Sequence, residues 1–343
     1  MTNPNNSSLF STEMVSKYHP DKVADQISDA ILTSCLKEDK QSHVACECLI
    51  KGQTIVLGGE ITTTSNSNFE EIAKTTALNL GYNVSKVINL LSKQSPQINN
   101  AVLSEKDFGA GDQGMMFGYS CNGGKYLLPY GLEVAIDIIK ALEEDIKKPS
   151  TILKGDAKTQ ITSDLRASGF VKPIDTILIS VCHKEGYSLE DVQHYLKNVL
   201  KENNIPSCNN LLLNPAGIWT IGGPEADCGL TGRKIVCDQY GGYAPVGGGA
   251  FSGKDPTKVD RSGSYMARKI ACTIVKEKEM EEANVQLSYA IGVSKPVAVY
   301  AIGTDKKGKT YDFSKEIASS YDLTPAGIIR TLNLLDLDYS SIS

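Results

Sequence analysis

The sequence predicts an α+β fold of three similar subdomains. Paired β-rich runs followed by an amphipathic helix recur along the chain, with starts more than a hundred residues apart, beyond solenoid periods. The composition is that of a globular protein, 41% hydrophobic and 22% charged over 343 residues, enough to bury several cores.

The first unit opens at His19-Pro20-Asp21-Lys22. Pro20 suits a first helical turn, Asp21 favours the positive end of the helix dipole, and Val23, Ile27, Ala30 and Ile31 follow at helical spacing. Residues 44–50 and 54–64 read as strands split by Lys51-Gly52-Gln53, a hairpin turn. A helix over 68–80 ends at Gly81. In the second unit a helix covers Tyr130–Ile146, residues 176–183 form a strand, and Ser188-Leu189-Glu190-Asp191 starts a helix to Lys201 in capping-box style. In the third, residues 286–293 and 297–302 pair across Ser294-Lys295-Pro296, and a helix runs over 325–335. Residues 235–237 read as a further strand.

A net charge of -5 argues against nucleic-acid binding, which needs a basic surface. Nine cysteines without a regular framework read as buried reduced thiols. The first ten residues lack the basic and apolar regions of a secretory signal, and no apolar run reaches membrane-spanning length. A cytoplasmic protein that binds no membrane is expected.

The chemistry concentrates in residues 240–260, YGGYAPVGGGAFSGKDPTKVD. Small residues that admit a ligand to backbone amides, followed by Lys254 and Lys258, suit a polyphosphate. The run nearly matches a Walker A loop, but Asp255 stands where Ser or Thr would ligate magnesium, and no apolar strand precedes it. Gly109-x-Gly111-x-x-Gly114 imitates a dinucleotide fingerprint but follows SEKDF rather than a strand, so it reads as a turn presenting Asp112. Cations also stand near turns at Asp156-Ala157-Lys158, at Arg233-Lys234 and at His19 with Lys22, together enough to neutralise a triphosphate with magnesium. Asp21, Asp25 and Asp29 form a like-charged row at i, i+4 spacing, which is either a solvated face or one held in part by a cation. Asp21 is the metal candidate of the three. His43, His183 and His194 read as structural, and covalent catalysis is not expected.

The segments VSKYHPDKVADQISDAIL, VACEC, GGEIT, KQSPQI, GAGDQGMMFGY, DAKTQIT, IGGPEADCGLTGRKIVCDQYGG and GGGAFSGKDPTKVDRS closely resemble, in order, the motifs of S-adenosylmethionine synthetases. The resemblance implies three α+β subdomains in pseudo-threefold arrangement, here 1–118, 119–235 and 236–343 with interleaved boundaries, and sheets that pack at a dimer interface. It implies attack of the methionine sulfur on ribose C5′ of ATP, with release of triphosphate that is then hydrolysed to pyrophosphate and phosphate. A thioether has no proton to lose, so alignment and charge stabilisation suffice.

By the same resemblance His19, Lys158, Arg233, Lys254 and Lys258 are the catalytic set. ATP would be bound by His19, Asp156, Lys158, Trp219, Asp227, Arg233, Lys234, Ala250 and Lys254. Methionine would be bound by Glu60, Gln94, Asp112, Asp227 and Lys258. Two magnesium ions per site would use Asp21 and Asp260, and potassium Glu47. Residues 99–107 correspond to a gating loop. A homodimer or dimer of dimers with shared sites is implied. The sequence departs from the family at Lys17-Tyr18, at Trp219, where Phe is usual, at Tyr243-Ala244-Pro245-Val246, and in a shorter gating loop and an expected lack of the C-terminal tail. The alternatives are a homologue acting on a methionine analogue and a non-catalytic nucleotide-binding regulatory paralogue.

Overall fold

The computed structural model describes residues 9–93, 109–164 and 173–342. Strand β1 (Leu9–Val15) leads into helix α1 (Pro20–Glu38), the hairpin β2 (His43–Lys51) and β3 (Thr54–Thr62), α2 (Phe69–Asn79) and β4 (Lys86–Ser92). Then come β5 (Gly114–Cys121), α3 (Tyr130–Ile146), β6 (Leu153–Asp164), β7 (Ile174–His183), α4 (Leu189–Glu202) and β8 (Cys208–Leu213). Two helical turns, α5 (Gly223–Ala226) and α6 (Ile235–Asp238), flank the short β9 (Gly229–Leu230). The last part holds α7 (Val259–Glu277), β10 (Glu282–Tyr289), β11 (Ala298–Thr304), β12 (Thr310–Asp312), α8 (Ser314–Ser320) and α9 (Pro325–Leu332).

Among the described residues three four-stranded sheets form, ordered β4-β3-β2-β9, β8-β7-β6-β1 and β12-β11-β10-β5. At the centre of each lies an antiparallel pair, β2 with β3, β6 with β7 and β10 with β11. A long helix precedes each pair and buries its apolar stripe on it, α1, α3 and α7 in turn. In two units a crossover helix then returns the chain to a parallel strand, β4 beside β3 and β8 beside β7. The third unit turns back instead through the antiparallel β12. The fourth strand of each sheet is borrowed from elsewhere in the chain: β9, β1 and β5.

Local chemistry explains the elements the sequence announced. His19 caps α1 with Pro20 in its first turn, Asn68 caps α2, and Ser188 with Asp191 forms a complete capping box on α4. The β2–β3 turn falls at Gly52-Gln53, with Gly52 at φ 55°. The third hairpin forms with a longer loop, between Tyr289 and Ala298.

Residues 235–237 form a helical turn, not the strand expected: Cys237 turns inward while Val236 is exposed, and the run pairs with no neighbouring strand. Asp156-Ala157-Lys158 lies inside β6 rather than at a turn, because the alternation continues through Thr159 and Ile161. The sequence reading also missed α7, although Met266, Ala267, Ile270, Ala271 and Ile274 stand at helical spacing and are buried. All nine cysteines are free thiols, and among the described residues no helix is long and apolar enough to cross a membrane.

Candidate active site

The acidic row on α1 organises the site, and it is neither solvated nor exposed. Asp21, Asp25 and Asp29 are all buried, and each accepts a backbone N–H from a loop that carries cations. Leu230 N–H donates to Asp21 at 2.9 Å, Gly232 N–H to Asp25 at 2.8 Å and Gly253 N–H to Asp29 at 2.8 Å. Side-chain cations complete the neutralisation: Lys234 on Asp21, Lys22 on Asp25 at 3.2 Å, and Arg261 on Asp29 at 2.6 Å. The positive charge that balances the row in the folded chain is that of lysine and arginine side chains.

Two groups of predicted residues are thereby fixed. The first surrounds the start of α1. The imidazole of His19 is buried there, and its pKa falls to about 4 because burial disfavours the charged ring and Lys234 and Lys158 add to that. His19 is therefore neutral at pH 7. Its Nδ1 accepts the Asp21 N–H at 3.1 Å, which leaves the proton on Nε2 as a donor. Burial opposes ionisation of Asp21, but Lys234 and the Leu230 amide outweigh it and hold the carboxyl below the usual range. Arg233 lies half-exposed at 3.7 Å from Asp21.

Lys158 reaches this rim from β6, where its strand neighbours are Val15 and Ser180. The strand is irregular just before it, and Gly155 (φ 113°) permits this: a Cβ there would meet the Tyr18 ring at 2.8 Å. Asp156 accepts Gly223 N–H at 2.7 Å, while its other oxygen is buried without a partner, and burial raises its pKa. It borders a cavity of about 400 Å³ shared with Tyr82, Cys182, Lys184, Thr220 and Gly222. Trp219 adjoins that wall, its Nε1–H bonded to Ile221 O at 2.6 Å and its amide to His183 Nε2 at 3.2 Å. His183 is structural, as expected, and what it steadies is Trp219. Asp227 is exposed at the end of α5, bonded to the next amide.

The second group is built along β2 where β9 does not cover it. Lys254 forms an antiparallel bridge with Ala45, whose partner on β3 is Glu60. Cross-strand partners share a face, so Lys254 and Glu60 stand together on the outward side of the sheet. Glu47, two residues along from Ala45, is exposed on the same face opposite Gly58. The Lys254 ammonium pairs with Asp260 in the first turn of α7. Lys258 caps that helix by position and lies 3.7 Å from Asp255. Gly111 approaches the Lys258 side chain, which brings the Asp112 turn to this group. Ala250 packs where a side chain on Gly232 would go, linking the two loops. Gln94 and the expected gating loop, 99–107, lie outside the described residues.

Asp255 is the residue the sequence could not interpret. It is wholly buried and accepts the amides of Val44 at 2.7 Å and Thr257 at 2.9 Å. The position that carries a metal-binding hydroxyl in a Walker A loop is a structural clamp here.

A three-sheet α+β fold that gathers lysines, an arginine and single carboxylates into two groups, one of them beside a neutral imidazole, defines a class, an enzyme suited to a polyphosphate. Models of the N-terminal, central and C-terminal domains of S-adenosylmethionine synthetase match residues 7–105, 107–219 and 221–343. An S-adenosylmethionine synthase from Sulfurovum sp. (strain NBC37-1) is 42% identical over 96% of this chain and 90% of its own. A solved structure described as an unusual S-adenosylmethionine synthetase from Campylobacter jejuni superposes with a TM-score of 0.87 at 32% identity, covering 97% of this chain and 92% of that one. The chain belongs to the S-adenosylmethionine synthetase family. It is a methionine adenosyltransferase, an ATP-binding transferase that makes S-adenosylmethionine.

Proposed function

We propose that both cation groups serve one type of reacting assembly, in which the methionine sulfur displaces triphosphate from ribose C5′. The observation that carries this reading is the neutral, tautomer-fixed His19 between Lys158 and Lys234. A donor that is already uncharged and aimed by its own cap can hydrogen-bond the oxygen that leaves C5′ without titrating near neutral pH. Lys158, Arg233, Lys234, Lys254 and Lys258 balance the charge that builds on the leaving chain, which is then hydrolysed to pyrophosphate and phosphate. Asp156, with one unpartnered buried oxygen, suits a ribose hydroxyl; Trp219, Asp227 and Ala250 complete the nucleoside side. Glu60, Gln94, Asp112, Asp227 and Lys258 hold methionine.

Among the described residues no three His, Cys, Asp or Glu side chains converge to hold a metal alone. Magnesium usually takes one or two carboxylates and completes its shell with phosphate oxygens and water, so Asp21 and Asp260, one in each group, fit a pair of ions brought with the nucleotide. Bound there, the ions would neutralise phosphate charge. The exposed carboxylate of Glu47 suits potassium. A second copy of the chain as partner is supported by the outward sheet faces, where Leu90 and Tyr300 are 64% and 51% exposed.

The test incubates the pure protein with ATP, methionine, magnesium and potassium and follows S-adenosylmethionine and phosphate together. Formation of both in step is expected. Phosphate release without the sulfonium product would overturn the proposed coupling.

A further inference from the structure

We infer that Asp29, together with Arg261, is a positioning residue for Lys254. This rests on the reading that Lys254 meets the leaving triphosphate.

Asp29 and Arg261 form a bidentate pair, with Nη1 to Oδ1 at 2.6 Å and Nη2 to Oδ2 at 2.7 Å. Both are buried. A buried ion pair is a poor source of net stability, because desolvation offsets most of the Coulomb attraction. Here its bonds continue into the backbone on either side of Lys254. Asp29 takes Gly253 N–H, and Arg261 donates to Lys254 O at 3.3 Å. Cys46 N–H donates to Gly253 O at 3.0 Å, and Asp255 N–H to Val44 O at 3.0 Å. Gly253 has no alternative at this point, since its φ is 78° and a Cβ would lie 1.9 Å from Cys46 O. The peptide units flanking Lys254 are thus tied to α1 on one side and to β2 on the other.

The experiment compares two double variants that each remove both charges, so that neither leaves a buried charge unpaired. Asp29→Asn with Arg261→Gln keeps an acceptor for Gly253 N–H; Asp29→Ala with Arg261→Leu removes it. With melting temperatures matched, kcat is expected to fall about a hundredfold in the second pair, with methionine KM within about twofold, and to stay within about tenfold of wild type in the first. Equal kcat in two folded pairs would overturn the inference. Lys254→Ala run in parallel separates the two readings: if it is fully active, the role of Lys254 fails, whatever the pairs do. Hydrogen exchange on the wild-type enzyme decides the matter even if neither pair folds. Slow exchange over residues 252–255 and fast exchange over 246–249 is expected, and fast exchange in both would refute a fixed Lys254.

Discussion

The Nδ1 atom of His19 accepts the Asp21 amide at 3.1 Å, so one ring nitrogen ends a helix and the other is left to chemistry. The two roles separate by mutation. Asn caps a helix as well as any residue, so His19→Asn should keep the melting temperature and lower turnover by about a hundredfold, the usual loss for one donor to developing charge. His19→Ala should lose the same activity and also about 1 kcal/mol of stability. Paired melting and initial-rate measurements check both, and an active Asn variant removes His19 from the mechanism.

The depressed pKa of His19 also sets a sign for stability against pH. The folded ring resists protonation until about pH 4, whereas the unfolded ring takes a proton near 6.5. Between those values the unfolded chain binds more protons, so stability falls as pH falls, by about 2 kcal/mol from pH 7 to pH 5 for this group. Urea melts of wild type and His19→Asn at the two pH values should differ by that amount. Parallel losses in the two proteins would contradict a buried neutral ring.

Lys254 is half-buried and paired with Asp260, a contact of small worth to folding. Lys254→Ala should leave the urea midpoint within about 1 kcal/mol of wild type and lower kcat by about a hundredfold or more. Comparable losses in both would reduce Lys254 to a structural residue.

Trp219 is tethered at both its indole and its amide. Replacing it with Ala should weaken ATP binding by about 1–3 kcal/mol, the worth of a base stack. Unchanged affinity in calorimetry would place adenine elsewhere.

Asp255→Ser restores the Walker A pattern in sequence and should do the opposite of creating a P-loop. It deprives the amides of Val44 and Thr257 of their carboxylate and should cost about 1–3 kcal/mol of stability, with no gain in ATPase rate. A folded, faster ATPase would show that the clamp is dispensable.

Much of this was legible in the sequence where the signal is local. The helix Tyr130–Ile146 and the capping box at Ser188 follow from spacing and short polar side chains. What depended on distant partners was not. A row of three aspartates looks the same whether it faces water or Leu230, Gly232 and Gly253, which lie more than two hundred residues away. Lys158 looked like a turn residue because Gly155 interrupts β6 where it bulges beneath Tyr18. β1 escaped notice because its partner, β6, lies far along the chain. The site motifs carried family identity, but their division into two groups is a property of the fold.

The borrowed strands bear on how the polypeptide is made. Because β1 joins the central sheet and β9 closes the first, the N-terminal segment waits for residues 153–164, and the first sheet waits for Gly229–Leu230. A nascent chain therefore carries an unpaired edge on β2 until two-thirds of its length has left the ribosome, and such long-range closure is intrinsically slow and exposed to aggregation. Closure of the first sheet is therefore a late event in synthesis, and fragments cut between the subdomains inherit open edges in place of finished domains.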